Sequence, residues 1–133
     1  MNRSKARESA FKLLYQIEIQ KEVNKEDIEM FFENNEVNSD EAKEYIKDIV
    51  NGINQNVKEI LDNITKNLKK DWEIERVSKI NLALLKLAIY EIKYKELPYK
   101  VVINEVVELA KKYGEETSHS FINGILASVI KEA

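Results

Sequence analysis

The stretch that most constrains the fold runs from Lys79 to Tyr94, with the sequence KINLALLKLAIYEIKY. On an α-helix its three spaced lysines, Lys79, Lys86 and Lys93, recur every seven residues and form one narrow polar strip. Nearly every other position is apolar, and such a helix has to be covered on most sides by other elements. The stretch is too short for a membrane span, and its lysines argue against one. We therefore predict a central helix with the remaining helices packed around it.

Glu91 interrupts the apolar surface of this helix, because it falls between Leu84 and Leu87 on the helical wheel. A buried carboxylate is costly unless it is paired. We expect Glu91 to be buried and hydrogen-bonded to a neighbouring helix end or basic side chain, and we favour this interpretation over a catalytic role.

The composition indicates an all-α fold. A chain of 133 residues suits one domain with one core, or two small subdomains that share a helix. Three glycines and one proline leave few turns for a sheet, and the apolar periods are helical throughout. The chain has no cysteine, which excludes disulfides and thiolate metal sites and fits a reducing cytoplasm. No secretion signal or membrane span is recognisable, so we expect a cytoplasmic protein with no membrane partner.

Apolar spacing and capping residues predict the order of the helices. Gly52 lies inside the third helix, where it predicts a bend or a close crossing. The polar segment 69–76 breaks the helical period, and we expect Trp72 and Ile74 to anchor it on the core. The predicted helices span residues 4–21, 25–34, 39–67, 79–94, 98–113 and 117–131.

Charge is distributed unevenly along the chain. The net charge is −3, yet residues 1–12 carry +3, from four cations against Glu8 alone. Residues 18–44 carry −7, from ten acidic residues against three lysines. A basic end beside an acidic flank favours an oriented polyanionic partner, although most short basic clusters are merely solvated helix starts.

Two groups of residues are candidates for binding. In the first helix, Phe11 and Tyr15 lie on the shoulder of the core stripe and suit a partner contact, or else they complete the core. In the last helix, Phe121 lies toward Gly124 at the edge of the core face. Phe121 is either a core residue or a surface on which a base stacks. Gly124 lets another backbone approach, either that of a packed helix or that of a partner.

Catalytic and metal-binding patterns are missing from the sequence. His119 is the only histidine, which rules out a two-histidine metal site within one chain. There is no glycine-rich phosphate loop, and the Glu115–Glu116 pair lies at a helix start, where carboxylates are favourable. We therefore expect a binding module that is not an enzyme and needs no metal or cofactor.

Several spaced motifs together resemble the bacterial NusB family of transcription antitermination factors. The most specific are INEVVELAKKYG at residues 103–114 and SxxFINGxL at residues 118–126. They are preceded by LLKLAIYE at residues 84–91 and by a weaker basic motif around Arg7 and Tyr15. The resemblance covers essentially the whole chain.

The resemblance implies a fold of about seven helices in two packed bundles, with subdomains at about 1–68 and 72–133. It implies binding of the single-stranded boxA element of nascent ribosomal RNA together with NusE, a small-subunit ribosomal protein. It also implies joining RNA polymerase with NusA and NusG to suppress termination. The RNA contacts implied are Arg3, Lys5, Arg7, Phe121 and Gly124. The NusE contacts implied are Tyr15, Phe11 and, at the start of the central helix, Asn81.

This chain departs from the family pattern at two positions of the central helix. Asn81 stands where many members carry an acidic residue, and Lys86 stands where an arginine is common. Two other functions stay open from the sequence. A similar domain serves as the RNA-binding part of ribosomal RNA methyltransferases, and the Phe11–Tyr15 row would also suit a structural homo-oligomer.

Overall fold

The computed structural model describes residues 1–131, and every secondary-structure element in that range is a helix, as predicted. A 3₁₀ turn at Ile74–Arg76 lies in the connector before α5, and a π-helical turn at Tyr90–Tyr94 continues α5. The α-helices are α1 (Arg3–Gln20), α2 (Lys25–Asn34), α3 (Asp40–Gln55), α4 (Val57–Lys66), α5 (Lys79–Ile89), α6 (Tyr99–Tyr113) and α7 (Ser118–Lys131).

Helix α5 is the centre of the molecule, as its apolar sequence predicts. Every residue from Ala83 to Glu91 is buried, and the helix packs against α1, α3, α4, α6 and α7. Even Lys86, the middle lysine of the polar strip, is buried and pairs with Glu18 of α1. The central helix is therefore covered on nearly all sides.

The predicted third helix is in fact two helices. The chain turns at Asn56, which has φ −117° and ψ 20° and whose side-chain amide donates to the carbonyl of Gly52 at 2.8 Å. Apolar spacing continues across this turn, so the periodicity could not reveal the break between α3 and α4. The prediction of one helix over 39–67 was wrong for this reason.

Gly52 does mark a close crossing, as predicted. A Cβ atom at this position would lie 2.2 Å from Oη of Tyr90, so only glycine lets α3 approach the turn after α5. The hydroxyl of Tyr90 donates to Asp48 at 3.1 Å on the same helix. The bend of the backbone follows four residues later, at Asn56 rather than at Gly52.

Side-chain caps at Asn24 and Ser39 start α2 and α3. Asn24 forms a reciprocal capping box with Asp27, and Ser39 accepts from the backbone N–H of Ala42 at 3.1 Å. Pro98 directly precedes α6, where its fixed φ suits a helix start.

Buried side chains from all seven helices form one connected core. Helix α1 packs against both α3 and α5, so it joins elements of both predicted subdomains. The division at about 1–68 and 72–133 stays a prediction. None of the helices within residues 1–131 is long and apolar enough to cross a membrane.

Candidate nucleic-acid interface

Arg7, one of the predicted RNA contacts, lies inside the protein. Only 3% of the residue is exposed. Its Nε donates to Oε1 of Glu91 at 2.6 Å and its Nη2 to Oε2 of the same residue at 3.2 Å. Its Nη1 donates to Glu105 at 2.9 Å. A guanidinium that is buried and held by two carboxylates cannot reach a phosphate, so Arg7 does not belong to an RNA surface.

The same contacts confirm the prediction for Glu91. It is 1% exposed, is paired with Arg7 and also accepts from the hydroxyl of Tyr45 at 2.9 Å. Burial, and next the charge of Glu91, raise the pKa of Tyr45 well above its usual value. Burial alone would lower the pKa of Arg7, but the hydrogen bond to Glu91 and the surrounding groups outweigh it, so the pKa is raised. The cluster ties α1 to α3, to the π-helical turn that follows α5 and, through Glu105, to α6.

Arg3 and Lys5, the other two predicted basic contacts, are both exposed. The guanidinium carbon of Arg3 lies 4.0 Å from the ring centroid of Tyr45 in α3. Lys5 lines a shallow cleft of about 200 Å³ between α1 and α6, beside Lys112. The N-terminal turn of α1 thus offers two accessible cations on different sides of the helix, and both remain candidates for phosphate contacts.

Phe121 and Gly124 lie on the surface of α7, where the sequence predicts them. Phe121 is half-buried, and its ring packs against the edge of the core. Gly124 is exposed, and a Cβ atom at this position would meet no other atom within 4 Å. Nothing in the described fold therefore requires a glycine here, in contrast to Gly52.

Trp72 is the residue that the sequence prediction assigned to the wrong environment. Ile74 packs against the core as expected, but Trp72 is 50% exposed. Its ring centroid lies 6.0 Å from that of Phe121, at an interplanar angle of 34°. The one available signal was a lone tryptophan among the charged residues of segment 69–76.

The predicted NusE contacts separate in the structure. Phe11 is 2% exposed and belongs to the core, so it is withdrawn as a partner contact. Tyr15 is half-buried at the surface, with its ring centroid 6.3 Å from that of Phe11. The row therefore enters the core at Phe11 and reaches the surface at Tyr15.

Asn81 lies in the first turn of α5, where its backbone N–H donates to Oγ of Ser78 at 3.1 Å. Its side-chain oxygen is buried and has no hydrogen-bond donor among residues 1–131. A buried acceptor without a donor is unfavourable.

A second surface cluster joins α1 to the end of α6. Glu8 accepts from Nζ of Lys112 at 2.6 Å and from the hydroxyl of Tyr113. These hydrogen bonds hold the pKa of Glu8 below its usual range. Residues 1–131 contain no group of three or more metal-ligating side chains that could hold an ion.

Comparison with known proteins agrees with the predicted family. The NusB family model matches residues 4–131. A transcription antitermination protein NusB from Clostridium acetobutylicum is 46% identical over 134 residues, covering 100% of this chain and 98% of the relative. A protein of the same name from Acetivibrio thermocellus is 47% identical over 132 residues, covering 98% and 90% of the two chains.

Solved structures show the same fold. T. maritima NusB matches with a TM-score of 0.87 at 35% identity, over 99% of this chain and 92% of that one. A chain in a crystal structure of the antitermination factors NusB and NusE in complex with dsRNA matches with a TM-score of 0.89 at 28% identity. That match covers 98% of this chain and 97% of the other. From the family match and the identity to full-length relatives, we conclude that this chain belongs to the NusB family.

Proposed function

We propose that this protein is a transcription antitermination factor of the cytoplasm that binds boxA-type RNA together with NusE. In this role the complex joins RNA polymerase with NusA and NusG and helps it to read through terminators in ribosomal RNA operons. The proposal is supported by the names of its relatives and by a matching chain in a NusB–NusE–dsRNA structure. It is a binding function, in which no residue of the chain acts as a catalyst.

The observation that carries the RNA-binding part is the open surface at Gly124 beside Phe121. A glycine in the middle of a helix costs about 1 kcal/mol relative to alanine. No atom of the described chain uses the space that this glycine leaves. The neighbouring aromatic ring offers a face on which an unstacked base can lie, and such stacking is the usual mode of single-stranded RNA recognition.

Substitution of Phe121 tests this surface. We expect Phe121→Ala to weaken boxA-type RNA binding by about 1–3 kcal/mol, the usual contribution of one base–aromatic stack. The urea midpoint should change little, because the ring is only half-buried. RNA affinity is measured by anisotropy of a labelled oligonucleotide, and stability by circular dichroism.

Phe11→Ala is the matched control, since it removes the same side chain from the core. It should cost about 3–5 kcal/mol of folding stability and leave the RNA affinity of the folded fraction unchanged. If Phe121→Ala behaved like Phe11→Ala, with lost stability and intact affinity, Phe121 would be a core residue and the RNA surface would be rejected.

The NusE contact is proposed for Tyr15 and Asn81, the two predicted residues that reach the surface. Tyr15→Asp should abolish co-elution with NusE, because it places a charge in a contact made by an aromatic ring. Helicity measured by circular dichroism should stay intact. Met30→Asp is the control, since Met30 is an apolar residue of α2 that is 61% exposed. Equal loss of NusE in both variants, or retention in Tyr15→Asp, would contradict the assignment.

A further inference from the structure

Trp72 occupies an unusual place for the only tryptophan of the chain. It lies in the connector between α4 and α5, with half of its surface exposed to solvent. Ile74, two residues later, anchors the connector on the core. A large exposed aromatic ring stabilises a fold little, whereas tryptophan is enriched at binding surfaces. The exposed ring of Trp72 is therefore better suited to contact a partner than to stabilise the fold.

The connector contacts α7 at two places. At one, the Trp72 ring lies 6.0 Å from the Phe121 ring. At the other, Oγ of Ser128 donates to the side-chain oxygen of Asn67 at 2.6 Å. Phe121, Gly124 and Ser128 are three and four residues apart, so they follow one stripe of the helix. Gly124 lies between the two contacts, and the space above it is open.

The charges around Trp72 indicate how a nucleic acid would be held there. Lys69, Lys70 and Arg76 are exposed, and none of the three has an ion-pair partner within residues 1–131. The acidic residues of segment 69–76 equal these cations in number. The segment is therefore neutral overall, and its attraction for a polyanion is weak. Binding at this point has to come from ring stacking more than from charge.

We propose that Trp72 and Phe121 together form a two-ring platform for two neighbouring unpaired bases of RNA, whose sugar–phosphate chain passes over Gly124. The inference rests on the proposed RNA-binding function and deepens it. It specifies that this part of the ligand is single-stranded, since paired bases do not expose their faces to a protein ring. It also adds Trp72 to the residues that hold RNA.

Trp72 is the only tryptophan of the chain, so its fluorescence emission reports directly on ligand binding at the ring. The chain is titrated with a short single-stranded boxA-type RNA, alone and with NusE, while labelled RNA is followed by anisotropy. With the chain alone, Trp72 emission should be quenched with the same midpoint as the anisotropy change. A duplex of the same sequence should leave the emission largely unquenched.

Variants give the second measurement. Trp72→Ala should weaken RNA binding by about 5-fold to 150-fold, the equivalent of one base stack, by a similar factor at low and high salt. Trp72→Phe should keep most of the affinity, because it retains a ring. Tyr99→Ala is the matched control: Tyr99 is 44% exposed at the start of α6, and its loss should have no effect.

The outcomes separate the platform from the proposed function. If labelled RNA binds while Trp72 emission stays constant and Trp72→Ala binds equally well, the platform is rejected and RNA binding stands. If no RNA binds to the folded chain with or without NusE, both are rejected. Should Trp72→Ala fail to fold, the emission of the unmodified chain decides, because that measurement needs no substitution.

Discussion

At the scale of single residues, burial determines whether a charged side chain pairs within the fold or is available to a ligand. The sequence predicts Arg7 as an RNA contact. It predicts Glu91 as a buried carboxylate that needs a basic partner. The structure shows that each is the other's partner, at 2.6 Å. A helical wheel places Arg7 on the row of Phe11 and Tyr15 but does not say how far neighbouring helices cover that row. Only the packing of α1 on α5 shows that the row is buried at Arg7 and surfaces at Tyr15.

Removal of Arg7 should therefore destabilise the fold. Arg7→Ala leaves Glu91 buried without its cation, and we expect the free energy of unfolding to fall by about 3–5 kcal/mol. Arg3→Ala, the control, removes an exposed cation over the Tyr45 ring and should cost no more than about 1 kcal/mol. Urea denaturation followed by circular dichroism measures both.

A double variant, Arg7→Leu with Glu91→Leu, sharpens this prediction. Replacing a buried ion pair by apolar side chains is often close to neutral, so the double variant should lose less stability than Arg7→Ala. Equal effects of Arg7→Ala and Arg3→Ala would show that the Arg7–Glu91 pair does not hold α1 in place.

At the scale of elements, the apolar period predicts which faces are buried but not where a helix is interrupted. The nearly continuous apolar surface predicted for α5 is confirmed, since every residue from Ala83 to Glu91 is buried. The turn between α3 and α4 was missed because a capping side chain at Asn56, rather than a change of pattern, produces it. The connector was predicted, but the surface position of Trp72 was missed because it depends on a contact with α7, which is distant in sequence.

The glycines of two helices should respond in opposite directions to the same substitution. Gly124→Ala has free space for its methyl group and should raise stability by up to about 1 kcal/mol, through helix propensity. Gly52→Ala places its methyl group against the Tyr90 ring and should lower stability. Thermal unfolding of both variants measures the difference.

The RNA affinity of the Gly124→Ala variant is a second measurement. Gly124→Ala should weaken RNA affinity despite its higher stability, because its methyl group enters the space assigned to the RNA backbone. A Gly124→Ala variant with unchanged affinity would show that the RNA does not approach this point. Loss of stability in that variant would instead mean that α7 needs the glycine for its own packing.

At the scale of the whole molecule, net charge is a poor guide to where a polyanion binds. The chain carries −3 overall, and one of the four cations among residues 1–12, Arg7, is used within the fold. Arg7 is paired inside the core, and Glu8 is occupied by Lys112 and Tyr113 rather than by its neighbours in α1. What remains for a ligand at the start of α1 is Arg3 and Lys5. Burial of Arg7 therefore reduces the three basic contacts proposed for RNA to two.

This reduced count leads to a quantitative prediction for salt dependence. Each phosphate contact to a single strand contributes about −0.7 to the slope of log affinity against log salt concentration. Two contacts, by Arg3 and Lys5, therefore predict a slope of about −1.4, instead of about −2.1 for three. Arg3→Gln and Lys5→Gln should each make the slope shallower by about 0.7, and Lys58→Gln on the exposed face of α4 should leave it unchanged. The slope is measured by RNA anisotropy at several salt concentrations; a salt-independent affinity would exclude both cations, and a slope near −2.1 would require a third contact.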